Sequence, residues 1–373
     1  MSALPSDVDS LVRSSFKVTD TFQLADGEVE YKVEYEAGSK AAFKTLYAGL
    51  LPKGFTPWLT GTKNQTALVI RKRQPPRPAV SRVPILMALL TLASVVAFGL
   101  LERSVYAKFA PEIPDYVVVI SYSTSILAIL AAHELGHRYV ADREHLASPT
   151  PYLIPGIPDL TAGLPSLGIV SLQREPAVNR DAVFDLSIAG PLAAFAVTAV
   201  LYFVSGFASV QSSVPLAGNQ VVNAYVSVSQ VNPSVIQMAI DSALSGFAPA
   251  VAQGYFRLSP VNDAAAIGFL LTFLNLLPMT FFDGGYMAAS VFGSRGVRLI
   301  TYLSVLGLVT IDTPTYWVPA IIVLLIASRQ PRGLVLDEVS GARPSKRLVL
   351  LLAILLAFLC LPLPQNFATF PLG

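Results

Sequence analysis

The stretch DYVVVISYSTSILAILAAHELGH, residues 115 to 137, decides how this chain is read. Residues 116 to 132 carry no charge, and a helix of about 20 such residues crosses a bilayer core of about 30 Å. The run then ends on two histidines and a glutamate, polar groups that are costly at the end of so apolar a helix unless they have a task. On a helix His133 and His137, four residues apart, project from one face and reach one metal ion at about 2.0 to 2.1 Å. Glu134 stands beside them as a base. Zinc lowers the pKa of its bound water to about 7, and an adjacent carboxylate takes the proton as a polarised peptide carbonyl is attacked. With 3 histidines in 373 residues, chance produces HExxH in on the order of one such chain in a thousand.

The rest of the composition agrees with a membrane setting. The chain is 53% hydrophobic and 13% charged, with a mean hydropathy of +0.58, against about 25% charged residues in a soluble domain. The expected class is an α-helical polytopic membrane protein. A net charge of +2 is too small to imply a nucleic-acid partner. Cys360 is alone, so neither an intrachain disulfide nor a thiolate metal site is available. The first long apolar run begins near Val83, too deep for a cleaved signal peptide, and the first membrane helix is expected to act as an uncleaved anchor.

Residues 1–75 differ from the rest of the chain. SFKVTDTFQL, EVEYKVEY and NQTALVIRKR alternate polar and apolar residues, the period of strands with one buried face, and SKAAFKTLYAGLL between them has helical spacing. This predicts a small soluble, cytoplasmic α+β domain of β-β-α-β-β type. The stretch RKRQPPRPAVSR, residues 71 to 82, reads as a basic, Pro-containing linker, with residues 76–82 beyond the domain itself. A membrane domain over 83–363 follows, and 364–373 is a C-terminal tail. About seven transmembrane helices are expected, at 83–101, 115–134, 182–208, 261–280, 297–311, 316–328 and 347–363. Threaded with the N terminus inside, this topology places Arg71 to Arg82, Arg138, Arg143, Arg174, Arg180, Arg295, Arg298, Arg329, Arg332, Arg343, Lys346 and Arg347 on the cytoplasmic side. Only Arg103, Lys108 and Arg257 fall outside. That asymmetry is the positive-inside pattern, and it puts HELGH near the cytoplasmic end of the second span.

Two histidines leave a tetrahedral catalytic zinc one protein ligand short, with the fourth position open. His145 lies eight residues after His137, and the position that HExxHxxGxxH would require as His is Arg143. The better candidate is in NLLPMTFFDGG, residues 275 to 285, where an apolar helix is interrupted at Pro278 and Asp283 precedes two glycines. On spacing alone, Asp283 serves equally as an interfacial turn or a helix cap. The topology favours the ligand, because the fourth span returns Asp283 to the side of His133 and His137.

HELGH and NLLPMTFFDGG together resemble the two signature motifs of the site-2 protease family of intramembrane zinc metalloproteases, peptidase family M50: HExxH and NxxPxxxxDG. The resemblance covers roughly residues 115 to 295, including DLSIAGPLAAF, which looks like the helix between the two motif helices of the family's catalytic three-helix core. It implies Zn2+ bound by His133, His137 and Asp283, Glu134 as general base, and Asn275 near the substrate carbonyl or backbone. An interhelical hydrogen bond is an equal reading of Asn275. Phe282 stands where the family commonly has Leu, which keeps the position apolar. The external stretch 209–259 is too short for the PDZ domain that many relatives carry.

Between the second and third spans, PTPYLIPGIPDLTAGLPSLGIVSLQREP, residues 149 to 176, has too much Pro and Gly for a spanning helix. A re-entrant loop or β-hairpin dipping toward the metal is favoured over a plain cytoplasmic loop, and a strand edge there could take up an extended substrate. The implied activity is hydrolysis of peptide bonds in or near transmembrane segments. Its partners are transmembrane protein substrates and the lipid bilayer, with no nucleic acid, in a cell membrane with the active site toward the cytoplasm. Two alternatives stay open. One is a non-catalytic zinc-binding transporter or receptor, and the other a different HExxH enzyme using His145 or Glu175 as third ligand.

Overall fold

The computed structural model describes residues 4–24, 28–73, 82–146, 150–157, 161, 164–172, 175–207, 210–211, 233–245, 257–311, 321 and 335–363. Within them a small sheet domain precedes a mostly helical body.

The sheet domain runs α1 (Ser6–Ser15), β1 (Val18–Gln23), β2 (Val29–Val33), α2 (Ser39–Leu50), β3 (Phe55–Thr62) and β4 (Gln65–Lys72). Its strands are antiparallel in the order β1-β2-β4-β3. In β2, Val29, Tyr31 and Val33 are buried while Lys32 is exposed, the alternation that a one-sided sheet requires. Phe43, Leu46, Tyr47 and Leu50 recur at helical spacing on α2 and close that face. Each such side chain contributes about 1.5 to 3 kcal/mol on leaving water. Val8 and Val12 of α1, four apart, join the same core. The alternation read from sequence contains the four strands and α2, whereas α1 stands ahead of them as an additional element. Arg71 and Lys72, read as the start of the linker, pair with Thr56 and Phe55 in the sheet.

The body comprises α3 (Val83–Phe109), α4 (Asp115–Arg143), a hairpin of β5 (Thr150–Pro155) and β6 (Ser166–Leu172), and α5 (Arg180–Ser205). After a short β7 (Val210–Gln211) come α6 (Val235–Ser245), β8 (Arg257–Leu258), α7 (Pro260–Leu276), α8 (Asp283–Ile311, broken at Gly293) and α9 (Ser345–Cys360). Among the described residues three helices, Val83–Lys108, Asp115–Arg143 and Arg180–Ser205, are long and apolar enough to cross a membrane. Leu86, Leu89 and Leu90 of α3 and Leu351, Leu352 and Leu355 of α9 are exposed, the outward apolar surface that a lipid environment accepts. α7 is apolar and buried on every side from Asp263 onward, so it forms the centre of the bundle.

The fourth expected span ends four residues early, at Leu276, because Pro278 follows and the chain becomes extended at Leu277. The first extends eight residues further, to Phe109. The fifth lies within α8, and the seventh corresponds to α9. The sixth, at 316–328, lies outside the described residues apart from residue 321, as do residues 74–81 of the linker and the tail.

The two parts are joined by the segment at 335–341. Leu59 of β3 donates to the Leu336 carbonyl at 2.8 Å and accepts from Glu338 N–H at 2.9 Å. On its other side the segment donates from Leu336 and Asp337 to the carbonyls of Ala177 and Val178, at 2.8 and 3.0 Å. The edge of the sheet is thereby tied to the entry of α5. Charge supports the joint: Asp181, in the first turn of α5, pairs with Lys40 of α2 at 2.7 Å and with Arg343 at 3.1 Å.

Candidate metal centre

α4 carries His133, Glu134 and His137 on its buried face, each less than a tenth exposed, while Leu135 between them points outward. The two imidazoles converge as the i, i+4 spacing dictates, with their Nε2 atoms 3.0 Å apart. His137 Nδ1 lies 2.8 Å from the Leu186 carbonyl of α5. A carbonyl only accepts, so Nδ1 carries the proton and the Nε2 lone pair is turned toward His133.

Room for this arrangement comes from glycines. A β-carbon on Gly190 of α5 would stand 2.3 Å from His137 Nε2, and one on Gly136 of α4 would stand 2.4 Å from the Ala189 carbonyl oxygen. The two helices therefore meet backbone to backbone at the level of the histidines. Pro191 follows Gly190 inside α5 without ending the helix.

Asp283 arrives from the far side of α7. Beyond Leu276 the chain turns through residues 277–282, an irregular segment that must find partners for its own backbone at this depth. Met279 N–H bonds to the Leu277 carbonyl at 2.7 Å, and Thr280 N–H to Thr301 Oγ1 of α8 at 3.0 Å. Phe281 takes a φ of 74°, which costs a residue with a β-carbon roughly 1 to 2 kcal/mol. α8 then begins at Asp283 with Gly284 and Gly285 pressed on the preceding turn. β-Carbons there would lie 2.2 Å from the Leu276 carbonyl oxygen and 1.9 Å from that of Met279.

The result is a three-residue cluster. Asp283 Oδ2 is 3.2 Å from His133 Nε2, and Oδ1 is 3.4 Å from His137 Nε2. Ligand atoms of all three residues lie within 4.8 Å of one another. Donors about 2.05 Å from a tetrahedral ion are about 3.3 Å apart, so this spacing suits zinc with one position left open. Among the described residues no other group of three or more His, Cys, Asp or Glu side chains is placed to hold a metal. Glu134 stays beside the cluster, its Oε1 accepting from Arg138 Nε at 2.7 Å.

The remaining residues singled out by sequence lie outside the cluster. His145 is exposed just beyond α4 with a φ of 55°. Glu175 is paired with Arg73 of the sheet domain at 3.1 Å. Asn275 is buried at the end of α7 and faces the hairpin, its Nδ2 3.9 Å from where a β-carbon on Gly168 would be. The stretch 149 to 176 does contain an antiparallel hairpin, whose first strand packs along α3.

A model described as peptidase family M50 matches residues 121–310, which include all three donors. The chain belongs to that family. It is 28% identical over 299 residues to a probable zinc metalloprotease EGY1, chloroplastic, of Arabidopsis thaliana, covering 75% of this chain and 52% of that protein. The rice protein of the same description is 26% identical over 302 residues, covering 75% and 50%. A probable zinc metalloprotease EGY2, chloroplastic, of Arabidopsis thaliana is 28% identical over 248 residues, covering 64% and 41%. The chain thus spans about half the length of the curated relatives it matches. No solved structure matches it significantly. Family M50 membership agrees with the resemblance drawn from the two motifs, and zinc is the metal that both the family and the donor set imply.

Sequence reasoning missed three supports of this M50 centre: the Leu186 carbonyl, Gly190 and the Arg138 contact. Only Gly190 left a trace, as a glycine before proline inside an otherwise regular apolar helix.

Proposed function

We propose that this protein is an intramembrane zinc metalloprotease that hydrolyses peptide bonds in or near the transmembrane segments of membrane-protein substrates. The observation that carries this reading is the convergence of His133, His137 and Asp283, with ligand atoms within 4.8 Å of one another, at the end of a helix otherwise apolar enough to cross a bilayer. His133 Nε2, His137 Nε2 and the Asp283 carboxylate would hold the ion. Zinc there would supply Lewis acidity, polarising a peptide carbonyl and acidifying water.

The chain's own groups do the rest. Glu134, one residue from the first ligand and on the same buried face, would take the proton from the attacking water and pass it to the leaving nitrogen. Leu186 holds His137 in the tautomer that presents Nε2. Asn275, between the centre and the hairpin, would hydrogen-bond the substrate backbone, and the hairpin would hold a locally unwound substrate as an added strand. The basic asymmetry of the sequence supports seven spans in a cell membrane, with the N-terminal domain and the metal centre on the cytoplasmic side.

The test is to purify the wild type and Glu134→Gln, measure bound zinc, and assay cleavage of a panel of transmembrane peptides. The expected result is equal zinc and a loss of cleavage on the order of a hundredfold or more. A variant that keeps zinc and cleaves as fast as the wild type removes the proposed role of Glu134. Zinc retained without cleavage by either protein favours a non-catalytic zinc-binding membrane protein.

A further inference from the structure

At the end of the bundle remote from the metal centre lies a second group of buried polar side chains that the proposed hydrolysis does not use. Glu102 and Tyr106 stand one turn apart on α3 and are 8% and 1% exposed. Asp263, in the first turn of α7 and 3% exposed, accepts a hydrogen bond from the Tyr106 hydroxyl at 2.5 Å. Tyr122 and Ser123 approach from α4: a β-carbon on Gly99, one turn before Glu102, would stand 3.1 Å from Ser123 Oγ. Glu102 is within electrostatic range of Asp263, and the Tyr122 phenol is within range of both. At about 1.5 Å per helical residue, Tyr122 is about 16 Å from His133 along α4, and Asp263 about 18 Å from Asn275 along α7. The group is therefore separate from the metal centre.

Three of its buried oxygens stand apart from the Tyr106–Asp263 hydrogen bond. Glu102 Oε2, Tyr122 Oη and Ser123 Oγ have no hydrogen-bond partner among the described residues. Among those residues no lysine, arginine or histidine pairs with Glu102 or Asp263, and the neighbouring Arg103 turns instead to Asp115, at 3.5 Å. Kept ionised without a cation, two buried carboxylates would cost several kcal/mol each, and carboxylates at membrane depth persist where they bind or pass something.

The donor chemistry narrows what that is. All the donors are oxygens, from two carboxylates, a phenol and a hydroxyl. That set is wrong for zinc or copper and right for a hard cation, and two carboxylates balance a double charge. Donors contributed by three helices suit calcium, which accepts six to eight oxygens at about 2.3 to 2.6 Å in flexible geometry, better than magnesium, which demands a near-ideal octahedron.

We propose that Glu102, Asp263, Tyr122 and Ser123 form a site for a hard divalent cation, calcium before others, which ties α3, α4 and α7 together. Tyr106 orients Asp263 in that site, and water completes the shell.

The experiment uses the full chain in detergent, stripped with a calcium chelator and dialysed. Calcium binding is measured at equilibrium, and thermal unfolding is followed with calcium, magnesium or sodium chloride at matched ionic strength. The expected result is one calcium per chain and a thermal midpoint raised by calcium but not by sodium. Glu102→Gln and Asp263→Asn keep the shape and remove one charge each. They should weaken calcium binding on the order of tenfold or more, with zinc content unchanged. Failure of the wild type to bind calcium overturns the proposal, as does equal binding by wild type and Glu102→Gln. A thermal midpoint that answers to acidification and to no cation also overturns it, because the carboxylates are then neutralised by protons. If either variant fails to fold, the two wild-type measurements decide alone.

Discussion

Gly190 of α5 lies against His137 of α4 so closely that a β-carbon at position 190 would stand 2.3 Å from its Nε2. No side chain fits there unless the imidazole moves, and His137 is also held from behind by the Leu186 carbonyl at 2.8 Å. Gly190→Ala should therefore release zinc while leaving the helix content intact. Metal analysis of purified protein measures the first, and far-ultraviolet circular dichroism the second. Gly307→Ala is the control: nothing lies within 4 Å of a β-carbon there, and its zinc content should match the wild type. Full zinc occupancy in Gly190→Ala would show that α4 and α5 yield at this contact.

The two glycines after Asp283 make a similar claim on that carboxylate. A β-carbon on Gly285 would stand 1.9 Å from the Met279 carbonyl oxygen, a backbone atom that cannot rotate away as a side-chain tip can. Gly285→Ala should push the start of α8 off the preceding turn, carry Asp283 away from the histidines and lower zinc affinity on the order of tenfold or more. Competition with a chelator of known zinc affinity measures the change. Asp283→Asn, which leaves the backbone alone and removes the anionic donor itself, should weaken zinc at least as much as Gly285→Ala does.

How much of the molecule was legible in the sequence depends on how local each feature is. His133 and His137 share one helical face by spacing alone, and Asp283 could be paired with them because charge asymmetry set both motifs at one end of the bundle. The strands of the first domain showed because Val29, Tyr31 and Val33 alternate with polar neighbours. α1 escaped because its buried pair, Val8 and Val12, is too little apolar surface to stand out in ten residues. The role of Gly190 was hidden because it depends on how closely α4 and α5 approach, a distance no single segment encodes. The same holds for Leu336: its partners Leu59 and Ala177 lie far off in sequence, and non-local pairings leave no periodicity to read.

In the first domain, pH should act through Asp9. The hydrogen bond from Arg13 Nε at 2.9 Å, helped by the Tyr31 hydroxyl at 2.8 Å and opposed by burial, holds its carboxyl below the usual carboxylate range. A carboxyl lowered on folding contributes stability that is present above its unfolded pKa of about 3.9 and is lost as pH falls through the folded value. The domain should thus lose stability between about pH 4 and the lower folded value. Asp9→Asn should flatten that loss while lowering stability at pH 7. With Trp317 replaced by Phe in both proteins so that Trp58 is the one tryptophan left, fluorescence in denaturant titrations at pH 7, 4 and 3 reads both effects, and parallel pH dependence in the two would remove Asp9 as the cause.

Leu336 should decide whether the first domain stays seated on the helical body. Its side chain is 2% exposed and belongs to the same apolar cluster as Phe43, Leu46 and Leu59, while its backbone bonds to Leu59 on one side and Ala177 on the other. Leu336→Asp places a charge in that cluster, a change expected to cost several kcal/mol. Because Lys40, Arg73 and Lys44 form partly exposed ion pairs with Asp181, Glu175 and Glu144, contacts of small net worth, they cannot compensate. The expected outcome is that trypsin frees the first domain several times faster than from the wild type, while zinc content is unchanged because His133, His137 and Asp283 are held by other elements. Leu336→Ala should give an intermediate rate, at a cost of about 2 to 5 kcal/mol for a truncated buried leucine. If Leu336→Asp loses zinc along with its first domain, that domain also supports the entry of α5, from which Leu186 fixes His137.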